Sequence, residues 1–328
     1  MNYNANAKRL RLRAGITLVA LGIILGNASI PAFAVEGAVG RTLPGVWIMP
    51  QGAVVGPTPG FSFTMLPIGY MGSISGERQI PLAGSLVADI SADLSANYLV
   101  PQYVYKTETA KVSLASTFMA PVNWVGVTGT VQAGSLTRSE SSANAGLSDI
   151  VVSPLTVGIH FSPTNNLAIS TMVFAPTGAY ARNNLSNPGM GVWTISPNVA
   201  HTYLWPKQGV EIDNYVGFDI YARNPTTNYR SGTVFHWDGM LLKYVAKNRA
   251  GFGAIVSNVT QITNDTGVLA DLLHGFEGRA WGAGPVVLLV AKAEKPGVTI
   301  QFRWVPEFAV TNLMKGNTLL LGLTLKLN

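Results

Sequence analysis

From Glu211 to Arg223 the chain alternates. Ile212, Val216, Phe218, Ile220 and Ala222 share one face of an extended backbone, and Glu211, Asp213, Tyr215, Asp219, Tyr221 and Arg223 share the other. The same period of two returns in Val298–Phe308, where Val298, Ile300, Phe302, Trp304 and Phe308 oppose Thr299, Gln301, Arg303 and Glu307. Near the C-terminus Leu319, Leu321, Leu323, Leu325 and Leu327 oppose Thr318, Leu320, Gly322, Thr324 and Lys326. Shorter runs repeat it: Val112, Leu114 and Phe118 oppose Lys111, Ser113 and Thr117; Val151, Leu155, Val157, Ile159 and Phe161 oppose Thr156, Gly158 and His160; Phe235, Trp237 and Leu241 oppose His236, Asp238 and Met240. Turn clusters separate the runs, such as Ser162-Pro163-Thr164-Asn165-Asn166 and Glu294-Lys295-Pro296-Gly297. Longer polar or glycine-rich intervals, Thr137–Leu147, Gly178–Gly191 and Gln261–Gly278, read as long loops.

This is an all-β pattern with one apolar and one polar face per strand. A soluble sandwich and a membrane barrel both alternate, and composition separates them. Only 12% of the 328 residues are charged, against about 25% in soluble domains. A sandwich of this size would carry charge on its outer faces. In a closed barrel lipid meets the apolar face and the polar face lines the lumen, so little charge is needed. Past the N-terminus no run of apolar residues is long enough for a helical span, whereas strands of about 9 to 11 residues suffice for a tilted barrel. The expectation is an antiparallel transmembrane β-barrel of about 12 strands, with 10 to 14 compatible with the length. Trp124, Trp193, Trp205, Trp237, Trp281 and Trp304 are candidates for interfacial girdles.

The N-terminus reads differently. Lys8, Arg9, Arg11 and Arg13 precede an apolar stretch, Ala14–Leu25, and an Ala32-Phe33-Ala34 cleavage pattern, so residues 1–34 read as a secretory signal peptide. Without them the chain keeps 18 basic and 16 acidic side chains, a formal +2, and loses the apparent basicity that would support nucleic-acid binding. Residues 35–67, rich in Pro and Gly, read as a plug or an extended leader, and residues 68–328 as the barrel. The absence of Cys excludes a disulfide-stapled module.

Catalytic arrangements are thin. Four histidines, His160, His201, His236 and His274, stand without Cys or HExxH spacing, so no metal or other cofactor is expected. His236 and Asp238 share a strand face and suit a hydrogen-bonded lumen network with Arg230 better than acid–base chemistry. No G-x-S-x-G elbow is present, and Gly251-Phe252-Gly253 and Gly282-Ala283-Gly284 sit in strand or turn context, not ahead of a helix. The chemistry-bearing residues are those of the polar faces: Glu211, Asp213, Tyr215, Asp219, Tyr221, Arg223, Arg230, His236, Asp238, Arg303 and Glu307 as the lumen lining, with Tyr215 and Tyr221 placed to stack on a ring.

Several segments, in order, resemble a known family. Gly146-Leu147-Ser148-Asp149-Ile150, Ser153-Pro154-Leu155-Thr156 and Phe174-Ala175-Pro176-Thr177-Gly178-Ala179-Tyr180 are similar to motifs of the SphA-like outer-membrane family, labelled for a meta-pathway of phenol degradation. Trp193-Thr194, Tyr229-Arg230-Ser231-Gly232, Thr263-Asn264-Asp265-Thr266-Gly267, Gly282-Ala283-Gly284-Pro285, Arg303-Trp304 and Glu307-Phe308 continue the match, and Leu43-Pro44-Gly45 and Pro59-Gly60-Phe61 resemble its opening motif. The resemblance implies an exported barrel of a Gram-negative outer membrane, partnered by membrane lipid and the barrel-assembly machinery, and taking up small hydrophobic or aromatic compounds by passive diffusion. One departure is the ending Leu325-Lys326-Leu327-Asn328, where such barrels commonly carry a terminal aromatic. A non-transporting barrel that presents surface loops to a partner, and an outer-membrane hydrolase, are the alternative functions.

Overall fold

A computed structural model describes residues 37, 39–56, 58–76, 79–133, 136–273, 277–292 and 297–327. The expected signal peptide, His274 and the first three residues of the expected turn cluster Glu294–Gly297 lie outside them. Fourteen strands follow one another: β1 Gly60–Ile74, β2 Ile80–Leu82, β3 Ser85–Val104, β4 Val112–Ala133, β5 Leu136–Leu147, β6 Val151–Ser162, β7 Asn165–Phe174, β8 Thr194–Trp205, β9 Val210–Tyr221, β10 Val234–Val245, β11 Ala250–Gln261, β12 Arg279–Lys292, β13 Gly297–Thr311 and β14 Lys315–Lys326. One short helix, α1 Val268–Leu272, lies between β11 and β12.

Every pairing is antiparallel, and twelve strands close on themselves in the order β1, β3, β4 and then β6 through β14. β14 closes the ring on β1, with Tyr70 opposite Thr318 and Met65 opposite Leu323. Closure leaves no open edge, which a sheet in hydrocarbon requires. β2 and β5 are extensions. β2 pairs only with the start of β3. β5 and β6 run in succession along one edge of β4, β5 against Val122–Ala133 and β6 against Val112–Met119. The wall built from β3, β4 and β5 therefore stands taller than the rest.

The outward face is apolar. Met65, Leu99, Phe118, Leu241, Phe252, Phe302 and Phe308 are exposed, as are Leu321 and Leu323 of the C-terminal leucine row. Those leucines point away from the interior, as a barrel demands and a sandwich forbids. Trp124, Trp193 and Trp304 are exposed on this belt. Trp237 instead lies flat over Gly239, edge-on to Trp281, and Trp205 lines a cavity at one end of the lumen.

Three expectations need correction. The first barrel strand begins at Gly60, inside the segment assigned to residues 35–67. Thr137–Leu147 is not a loop but nearly all of β5; its Ser- and Ala-rich run offers no apolar face because it pairs beyond the barrel proper. Val151 faces the interior while Leu155 faces out, since an irregularity between Val152 and Thr156 shifts the register and flips the alternation.

The two rims differ. Turns 105–111, 163–164, 206–209 and 246–249 are short, whereas 175–193, 222–233 and 262–273 belong to long connections at the opposite end.

Candidate functional site

The interior wall is polar because alternation turns one face of every strand inward. On β9 it presents Glu211, Asp213, Tyr215, Asp219 and Tyr221, on β10 His236 and Asp238, and on β13 Gln301, Arg303 and Glu307, all buried. Buried charge is costly unless it is paired, and here the partner is the N-terminal segment. Residues 39–56 run through the lumen with no regular structure beyond turns, so their backbone groups need acceptors and donors from the wall.

The wall supplies them residue by residue. Gly45 N donates to Asp238 Oδ1 at 3.1 Å and to Ser257 Oγ at 2.9 Å, and Gln51 N to Glu211 Oε1 at 2.8 Å. Ala53 N donates to Thr202 Oγ1 at 3.2 Å, and that hydroxyl donates onward to Asp213 Oδ1 at 2.6 Å. Thr42 Oγ1 donates to Asp219 Oδ2 at 2.7 Å. In the opposite sense, Arg303 Nη1 donates to the carbonyls of Gly45 and Ile48 at 2.7 and 2.6 Å. Acids thus take the segment's N–H groups and the guanidinium takes its C=O groups.

Within the segment, Arg41 makes the most side-chain contacts to the wall. Its Nη1 lies 2.6 Å from Asp149 Oδ2, with both side chains buried. Nη2 donates to Val192 O at 2.7 Å, Nε to Thr194 Oγ1 at 3.2 Å, and the backbone N to the Tyr221 hydroxyl at 3.0 Å. The guanidinium lies 5.0 Å from the Phe174 ring centre. Asp149 also accepts from Gly178 N and Met190 N, both at 2.9 Å. One carboxylate therefore ties the segment to the base of the 175–193 loop. Neither Gly178 nor Gly189 has room for a Cβ beside it.

The segment divides the lumen. Toward the long loops, a cavity of about 190 Å³ lies above Leu43 and Val46 and is walled mainly by apolar side chains such as Ile68, Ala92, Val125, Val127, Leu185 and Phe174. Toward the short turns, a wider cavity of about 620 Å³ lies beneath Trp47 and Met49. Trp47 is wedged between them, edge-on to Tyr98 and to Phe174 with ring centres 6.3 and 6.0 Å away, and its indole N–H donates to Thr42 Oγ1 at 2.9 Å.

Nine of the eleven residues assigned to the lumen from sequence face inward: Glu211, Asp213, Tyr215, Asp219, Tyr221, His236, Asp238, Arg303 and Glu307. They do not line an open path, because the N-terminal segment and their own neighbours cover them. Tyr215 stacks on His236 at 5.7 Å and lines the wider cavity, and the Tyr221 hydroxyl receives the Arg41 N–H. Arg223 and Arg230 are exposed in the 222–233 loop. β9 ends at Tyr221, so the alternation does not carry to Arg223; Arg223 donates to Asn228 O and Arg230 to Tyr221 O. The His236–Asp238 network takes Asp219 rather than Arg230, with His236 Nε2 3.6 Å from Asp219 Oδ1. Arg41, Thr42, Trp47 and Ser257 escaped the sequence reading. The first three lie on a segment without period, and only its proline and glycine content marked it.

The family model described as "Putative MetA-pathway of phenol degradation" matches residues 78–322. No curated protein matches the chain. Among solved structures the chain is similar to the COG4313 outer membrane channel from Pseudomonas putida F1, at 15% identity and a TM-score of 0.65, with 85% of this chain and 99% of that one covered. A FadL homologue from Pseudomonas aeruginosa also aligns, at 8% identity and a TM-score of 0.44 over 91% of this chain and 99% of that one.

Proposed function

The chain belongs to the family described as "Putative MetA-pathway of phenol degradation", and from that premise we propose that it is an outer-membrane channel for passive uptake of small hydrophobic or aromatic compounds. Its long loops face the exterior and its short turns the periplasm. The observation that carries this reading is the divided lumen: a mainly apolar cavity open toward the long loops, a wider one toward the short turns, and between them a segment held by side-chain contacts rather than by strand pairing. The conformation is closed, and passage requires the segment to move or the solute to slip past it. The barrel fold shared with an outer membrane channel supports the reading.

The test is entry of a radiolabelled single-ring compound into cells whose lipopolysaccharide leaflet resists it. Cells carrying the folded protein should take the compound up several-fold faster than cells without it. Equal rates, with the protein confirmed in the outer membrane, would leave the barrel as a platform for its loops.

A further inference from the structure

The cavity on the long-loop side has a polar corner that the fold leaves unsatisfied. Asn123 projects inward from β4 and is only 9% exposed. Its Nδ2 donates to Pro188 O at 3.0 Å, which fixes the amide orientation, and its Oδ1 is buried with no hydrogen-bond partner. A buried acceptor without a donor is uncommon and costs about 1 to 3 kcal/mol. Tyr98 lies on the adjoining strand. Ala96 pairs with Asn123 and Tyr98 with Pro121, so Asn123 and Tyr98 are diagonal neighbours on one face, within reach of long side chains. Both line the same cavity. The Tyr98 ring is set by its edge contact with Trp47, and its hydroxyl makes no hydrogen bond among the described residues.

Arg41, Asp149 and Tyr70, which also line the cavity, are committed. Arg41 spends all three guanidinium nitrogens on Asp149, Val192 O and Thr194. Asp149 is taken by Arg41 and two backbone N–H groups. The Tyr70 hydroxyl donates to Glu307 and Met314 O. Arg41, the cation of the lining, is thus spent and cannot hold a carboxylate, while Asn123 Oδ1 and the Tyr98 hydroxyl keep capacity for a polar group in mainly apolar surroundings. A cavity of about 150 Å³ is enough for a benzene ring, and this one is about 190 Å³.

We propose that Asn123 and Tyr98 form a binding subsite for a neutral aromatic ring bearing a hydroxyl group: the ring occupies the apolar cavity, its O–H donates to Asn123 Oδ1, and its oxygen accepts from the Tyr98 hydroxyl. The subsite rests on the channel reading for its purpose but not for its occupancy, and it ranks hydroxylated rings above both the bare hydrocarbon and ring carboxylates.

Phenol and toluene are nearly equal in shape and differ in the hydroxyl, which makes them the probes. Binding of each, radiolabelled, to the purified full chain is measured in sealed vials against micelle-only blanks. Tyr98→Phe keeps the ring against Trp47 and removes only the hydroxyl; Asn123→Leu removes the acceptor. Each variant should weaken phenol binding about five- to tenfold, the worth of one hydrogen bond to a desolvated group, and leave toluene binding within twofold. Benzoate should bind more weakly than phenol to the unaltered protein. Equal loss of both probes, or phenol binding unchanged in Tyr98→Phe, overturns the subsite. Failure of cellular uptake with these binding ratios intact overturns the channel and leaves the subsite standing, whereas uptake without phenol binding does the reverse.

Discussion

Arg41 shows how a single side chain can hold a lumen shut. It is buried, paired with Asp149 at 2.6 Å and bonded to the wall at three further points. Removing one partner of a buried pair costs roughly 3 to 5 kcal/mol, because the other charge stays desolvated. Arg41→Gln limits that penalty: Asp149 keeps its two backbone donors, Gly178 N and Met190 N, so the loss falls on the seated segment. About 3 kcal/mol is more than a hundredfold in the ratio of seated to released segment. Planar-bilayer recordings of Arg41→Gln should therefore show a greatly raised open probability, while the unfolding midpoint of the barrel stays near that of the unaltered protein. Unchanged gating would assign the closure to Arg303 and the carboxylates instead. None of this was legible in sequence: Asp149 stood out only as part of a motif, and Arg41 sits where no period assigns a face.

At the scale of the element, the strands read well wherever one face was apolar throughout. β9, β13 and β14 have the faces that alternation assigns, and the inward positions of Glu211, Asp213, Asp219, Arg303 and Glu307 follow from that alone. Alternation misassigns positions where the period is broken or carried too far. Strict alternation puts Val151 on the face of Leu155, but a register shift between Val152 and Thr156 separates them. Alternation carried to Arg223 overruns β9, which ends at Tyr221. β5 was missed because its Ser and Ala residues give no hydrophobic contrast. Two glycines also belong to this scale. A Cβ on Gly253 would overlap the Leu241 carbonyl of β10, and one on Gly284 would overlap the Trp304 carbonyl of β13. The obstacle at each is neighbouring backbone, which cannot rotate aside. Gly253→Ala and Gly284→Ala should each destabilise the barrel by about 1 to 3 kcal/mol, read as a lower urea midpoint for the refolded protein. A midpoint unchanged in both would mean that the strands separate freely there.

Across the whole molecule charge is sorted by place. The interior wall holds Glu211, Asp213, Asp219, Asp238 and Glu307 against Arg303. Exposed at the short-turn end are Lys106, Lys111, Lys207, Lys243, Lys247, Arg249 and Lys326, with Glu108 the acid among the described turn residues there. Two outcomes follow. Deleting residues 41–53 removes no strand pairing but exposes the wall to water, and its excess of carboxylates should make the resulting pore cation-selective, measured as a reversal potential under a salt gradient. A pore that prefers anions would show that the acids do not face the open path. The basic rim in turn lies at headgroup level, and each Lys or Arg near an anionic surface contributes about 1 kcal/mol. Unfolding in vesicles containing phosphatidylglycerol should need more urea than in phosphatidylcholine alone, and added salt should erase the difference.

The place of Trp47 has a practical consequence. Of the seven tryptophans in the chain, it alone belongs to the segment inside the lumen, edge-on to two aromatic rings and donating to a threonine hydroxyl. Replacing the other six by phenylalanine would leave a single indole whose emission is blue while the segment is docked and red once water surrounds it. The molecule thus carries its own optical gauge of whether the passage is shut, readable without attaching a dye.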